Sequence, residues 1–146
     1  MSKRQERAVD LYKNQGYNCA QAVVVAYADV LGMSEEQAFA TFAGFGGGFG
    51  GQHEVCGAIS GMTAVLGALL NVKTSDSAEG KQKIYSRVMN ACKDFKKEHE
   101  SIICRTLIVN AKKNDESPKP CSHYIASCCQ ILDDSIGKNS PFTEKE

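Results

Sequence analysis

The sequence carries no surplus of charge: 17 Lys and Arg residues stand against 17 Asp and Glu. Phosphate recognition rests on concentrated Lys and Arg, so a nucleic-acid partner is not expected, and only a local basic patch could supply one. Long apolar runs are missing too. No stretch approaches the roughly 18 uninterrupted apolar residues of a membrane span, and Met1-Ser2-Lys3-Arg4-Gln5-Glu6-Arg7 leads into no apolar signal segment. A soluble, cytoplasmic protein with no membrane partner is expected. No sustained polar/apolar alternation marks a half-exposed strand. There is no Cys-x-x-Cys pair, no Gly-Lys-Ser/Thr phosphate loop, and no seryl, aspartyl or two-carboxylate hydrolase constellation.

What is present is a chain of 146 residues, 42% of them hydrophobic, enough for one domain with a core of its own. Its apolar residues recur at helical spacing between Gly, Pro and Ser/Asn punctuation, which predicts an all-α bundle of about six to seven helices. One domain over residues 1–136 and a flexible tail over 137–146 are expected, with no internal repeat. The first helix spans about Lys3 to Asn14 and stops at Gly16. A second starts at the N-cap Asn18 and runs to Leu31 before Gly32; it is apolar nearly all round and so is the expected centre. Ser34-Glu35-Glu36-Gln37 has the form of a capping box opening a short helix to about Phe42. Further helices are predicted over Val55 to Leu70, Ser77 to Glu98, Ile102 to about Ala111, and from Pro120 to about Ser135, with Lys112 to Lys119 as a surface loop. The small residues Gly57, Gly61, Ala64 and Ala68 would let another helix approach closely, in internal packing or in a homodimer.

Seven cysteines are the unusual feature. The number is odd, the chain needs no staples, and a reducing compartment disfavours static disulfides, which leaves metal binding, redox chemistry or burial. Cys19, Cys56, Cys104 and Cys121 all fall in predicted first turns, where unpaired N–H groups and the positive helix end favour thiolate. A helix end is worth about 0.3–1 kcal/mol at an exposed site and one pKa unit is about 1.4 kcal/mol, so each end lowers a thiol by less than a unit. Four thiolates in one place would repel one another, so a cation or pairwise oxidation must offset the repulsion. Cysteine is also among the most buried residue types, so simple packing is the plain alternative for any one of them. Cys92, Cys128 and Cys129 fall on apolar stripes and are expected in the core.

Gly44 to Gly51 holds six glycines in eight positions. It formally matches Gly-x-Gly-x-x-Gly but follows a helix rather than a strand, so no dinucleotide site is implied. A tight loop whose N–H groups, at Gly47, Gly48, Gly50 and Gly51, line a cofactor, an anion or the Cys56 sulfur is one expectation; a close-packed connection is the other. Among the histidines His53, three residues before Cys56, is the first candidate for a ligand, general base or hydrogen-bond partner. His99 is expected to be solvated, and His123 to point away from Cys121.

Asn18-Cys19-Ala20-Gln21-Ala22-Val23, the glycine loop, Cys56-Gly57-Ala58-Ile59-Ser60-Gly61, Cys104-Arg105-Thr106-Leu107 and Cys121-Ser122-His123-Tyr124-Ile125 together resemble the C_GCAxxG_C_C family of small redox-active proteins. The resemblance covers about Gly16 to Leu132, and the family's four characteristic cysteines carry over to Cys19, Cys56, Cys104 and Cys121. It implies a redox role with an as yet unidentified redox partner protein, and names neither substrate nor reaction. Three functions are then open. The four thiols could hold an iron–sulfur cluster or a single Fe or Zn ion, making an electron-transfer site. They could be a metal-free dithiol/disulfide system with Cys56 as nucleophile, an oxidoreductase-type activity. Or the protein could be a helical interaction module whose cysteines are core.

Overall fold

The structure, a computed structural model, describes residues 1–114 and 120–139. Among them are nine helical segments and no strand: α1 (Lys3–Asn14), α2 (Cys19–Ala26), α3 (Ala28–Leu31), α4 (Glu35–Thr41), α5 (Gly46–Phe49), a lone turn within the glycine loop broken by left-handed Gly47 and Gly48, α6 (Gly57–Leu70), α7 (Ser77–His99), α8 (Cys104–Lys113) and α9 (Cys121–Asn139). None of the described helices is long and apolar enough to cross a membrane.

The caps read from the sequence start the helices where they should. Asn18 Oδ1 accepts the Gln21 N–H at 2.8 Å, and Gln21 Oε1 accepts the Asn18 N–H at 3.0 Å. The same reciprocal pair joins Ser34 and Gln37. The α2 cap also ties elements together, since Asn18 donates to Ala43 O and the Gln21 amide to Phe39 O, each at 3.0 Å. From Ala20 to Ala26 every α2 side chain is buried, as expected of a central helix.

The expected second helix does not run unbroken to Leu31. It divides at Tyr27 (φ −119°, ψ 23°), whose hydroxyl lies 2.6 Å from Asp133 Oδ1 and 3.0 Å from Cys129 O on α9. That long-range anchor outweighs the helical propensity of the segment. Other boundaries move by a turn or less. The helix expected from Val55 begins at Gly57, because Val55 forms an isolated antiparallel bridge with Ile103. At the other end of the chain, α9 continues past Gly137, held by the buried Ile136. Residues 140–146, most of the expected tail, and 115–119 of the expected surface loop lie outside the described residues.

The core forms where α2 lies against α6, α1 and α9. Gly61 permits the α2–α6 approach: a Cβ there would stand 3.1 Å from Val23 Cβ and 3.2 Å from Ala20 O. This face of small residues is thus used inside the chain at Gly57 and Gly61.

Candidate functional site

Cys19, Cys104 and Cys121 are the first residues of α2, α8 and α9, and Cys56 is the N-cap of α6. All four line one cavity of about 140 Å³, with Tyr12, Asn18, Gly47, Gly57, Leu107 and Tyr124 completing its wall. Cys56, Cys104 and Cys121 are buried and Cys19 is half-buried, and no disulfide joins any of the seven cysteines.

The glycine segment shapes this cavity through its backbone. Gly47, Gly48, Gly50 and Gly51 all have φ between 62° and 78°, a region open to glycine at little cost. His53 takes the same conformation (φ 61°) without being glycine. It is held there because its N–H donates to Gly47 O (3.0 Å) and its carbonyl accepts from Arg105 N–H (3.0 Å). Glu54 N–H donates to Gly48 O at 2.9 Å, and Glu54 O accepts from Cys104 N–H at 2.6 Å. The loop is thereby pinned to the start of α8. Gly47 lines the cavity, while Gly51 N–H donates to Gly46 O, so this N–H serves the loop itself. Gly48 is there for space: a Cβ would come within 2.7 Å of both Cys104 Cβ and Glu54 N.

Each sulfur has a different neighbour. The Cys56 thiol hydrogen-bonds with Cys19, a contact that Gly57 permits, since a Cβ at Gly57 would lie 2.5 Å from Cys19 Sγ. Cys104 Sγ lies 3.5 Å from His53 Nδ1. Cys121 hydrogen-bonds with the hydroxyl of Tyr12 on α1. That phenol is pushed above the ordinary tyrosine value, chiefly by burial and then by the Cys121 bond.

Thiolate stabilisation at every helix start does not hold for Cys56. Its thiol lies well above the ordinary value of 9.0, first because of the hydrogen bond with Cys19, then because of burial, then through the nearby Cys128 and Cys19. The Ile59 N–H at the start of α6 pulls the other way and is the weakest of these effects. A fraction of a unit from a helix end cannot match desolvation of a buried thiol.

The four thiols share a cavity without forming a ligand set. Among the described residues, no group of three or more His, Cys, Asp or Glu side chains is arranged to hold a metal ion.

Cys128 and Cys129 are fully buried and Cys92 is half-buried against the core, as the stripes indicated. His123 is exposed. His99 is not solvated as expected: its ring bonds Ser127 Oγ at 2.9 Å and stacks near Phe95 and Tyr124, with 16% of its side chain exposed. Its charged neighbours in sequence concealed the apolar face of α7 to which it belongs. Sequence reasoning also missed Tyr12, Leu107 and Tyr124 as cavity walls, since each reads as an ordinary core residue on its own helix.

The family model described as "Putative redox-active protein (C_GCAxxG_C_C)" matches residues 17–135. No curated protein and no solved structure matches the chain.

Proposed function

The chain belongs to the C_GCAxxG_C_C family of redox-active proteins, and from the geometry of its thiol cavity we propose that it is a dithiol/disulfide redox protein in which Cys19 and Cys56 are the pair that closes. The observation carrying this reading is the Cys19–Cys56 hydrogen bond inside a cavity shared with two further thiols. Two thiols already in contact need little motion to become a disulfide, and the missing Cβ at Gly57 leaves Cys19 room to swing. The raised Cys56 proton also inverts the roles expected from sequence. Cys56 is the sulfur held as thiol, and half-buried Cys19 is the one a redox partner protein reaches. A reducing cytoplasm, which keeps such thiols free at rest, suits this chemistry.

Protein purified without oxygen is assayed for iron, zinc, acid-labile sulfide and free thiols, then poised across physiological potentials. The expected result is metal-free protein that reversibly loses two thiols as a Cys19–Cys56 disulfide, a bond absent in Cys19→Ser and in Cys56→Ser. A constant thiol count, or stoichiometric iron and sulfide removed by those same substitutions, would overturn the reading in favour of a metal centre.

A further inference from the structure

We propose that His53 is the proton acceptor for Cys104, making Cys104 the thiolate that attacks a small disulfide entering the cavity. This rests on the dithiol/disulfide reading of the same pocket and adds the class of the disulfide that oxidises it and the thiol that meets it, while the redox partner protein that reduces it back acts at Cys19.

Cys104 Sγ and His53 Nδ1 are 3.5 Å apart, within hydrogen-bond range for sulfur. With the ring proton on Nε2, the thiol donates to Nδ1. The first N–H groups of α8 are already engaged, Cys104 N–H with Glu54 O and Arg105 N–H with His53 O. The imidazole, rather than the helix start, is therefore the group placed to take the thiol proton. The residue is also held in position at a cost: its left-handed backbone is unusual for a residue with a Cβ, and two backbone hydrogen bonds fix it there. His53 is exposed while Cys104 is buried, so the ring can pass the proton to solvent while the sulfur meets its reactant inside. A cavity of about 140 Å³ walled by Leu107, Tyr12 and Tyr124 suits a small disulfide RSSR rather than a folded partner.

The steps balance. The Cys104 proton moves to His53, and the Cys104 thiolate attacks one sulfur of RSSR, forming Cys104–S–S–R and releasing RS⁻. Cys19 attacks the Cys104 sulfur and expels the second RS⁻; Cys56 then attacks Cys19 and regenerates Cys104. The two RS⁻ leave as 2 RSH with the protons given up by Cys19 and Cys56. RSSR is reduced by two electrons, and the Cys19/Cys56 dithiol is oxidised by the same two.

The test uses the full chain, reduced, with hydroxyethyl disulfide as probe and acid-quenched peptide mapping by mass spectrometry to follow mixed disulfide at each cysteine. Glycine suits the His53 backbone, so His53→Gly should fold, and His53→Asn is a second variant tolerant of that conformation. In both, modification of Cys104 should slow about tenfold or more at neutral pH, and added imidazole should restore it in His53→Gly. An unchanged Cys104 rate, or a loss that imidazole does not restore, would overturn the assignment. If Cys104 reacts in a His53-dependent way but Cys19 and Cys56 never close, the assignment stands and the dithiol reading fails. If the pair closes equally fast in His53→Gly, the His53 assignment fails alone.

Discussion

The two ends of α2 handle buried polar groups in opposite ways. At its C-terminal end, Arg4 donates to Ala26 O at 2.8 Å and forms a two-pronged pair with Asp29 at 2.7 and 2.9 Å, its guanidinium 4.9 Å over the Tyr27 ring. Tyr27, Ser2 and Gln5 converge on Asp133. A cavity of about 380 Å³ lies here, larger than the thiol cavity, and on its wall Arg4 is paired with Asp29 and Arg7 with Glu35. A cation at the carbonyl end of a helix and saturated carboxylates make a fixed joint. At the N-terminal end the partners are thiols, an imidazole and a phenol around an open space. Thiols are weak hydrogen-bond formers, so sulfurs at this end can exchange partners. One end holds the bundle, and the other is left able to react.

That contrast can be broken at either end. The largest effect is expected at the thiol end from Gly48→Ala, which combines a left-handed backbone (φ 70°) with a collision against Cys104 and the Glu54 backbone. About 2–4 kcal/mol of stability should be lost in urea unfolding, together with the rapid reaction of Cys104. A variant that folds with wild-type stability would show that the loop is not held tightly against α8.

At the fixed joint, Arg4→Met should cost about 1–3 kcal/mol while leaving the thiol reactions unchanged. It should also alter the acid limb. Asp29 sits below its ordinary value of 3.8, first because of the hydrogen bonds from Arg4. Its contribution is therefore present above that value and lost as pH falls through the lower, folded one. In Arg4→Met the decline below about pH 4 should be shallower; an identical acid limb would remove Asp29 from the account.

The gentlest effect is expected on the alkaline side. Cys56 and Cys128 are raised well above 9.0, Cys56 first by its bond with Cys19 and Cys128 by burial, and Cys129 is pushed up by burial to about 12. Groups held protonated by the fold stabilise it below the unfolded value, and the advantage is lost as pH rises toward the folded one. Stability should drift down above pH 9, with the thiolate absorbance of the native protein lagging behind that of the unfolded chain. Coincident titrations of the two states would contradict the burial argument.

Much of the frame was legible in residues close together along the chain. Asn18 with Gln21 and Ser34 with Gln37 announce their helix starts because capping is a local, three-residue affair. The division at Tyr27 was not legible, since its cause lies on α9, and neither was the burial of His99, whose stacking partner Tyr124 lies on another helix. The four cysteines stood out because each begins a helix. Their chemistry did not, because helix starts looked equivalent until burial, the Cys19 contact, His53 and Tyr12 distinguished them.

The sequence by itself determined the all-α class, the caps, the glycine segment and the identity of the four candidate thiols, for all of these depend on neighbours a few residues away. Only the tertiary structure decided which thiol meets which partner. Cys104 and His53 are 51 positions apart in the chain, and Cys121 finds Tyr12 on the first helix. Acidity and reactivity follow from desolvation and hydrogen-bond partners, and for buried groups both are supplied by distant segments packed into one core.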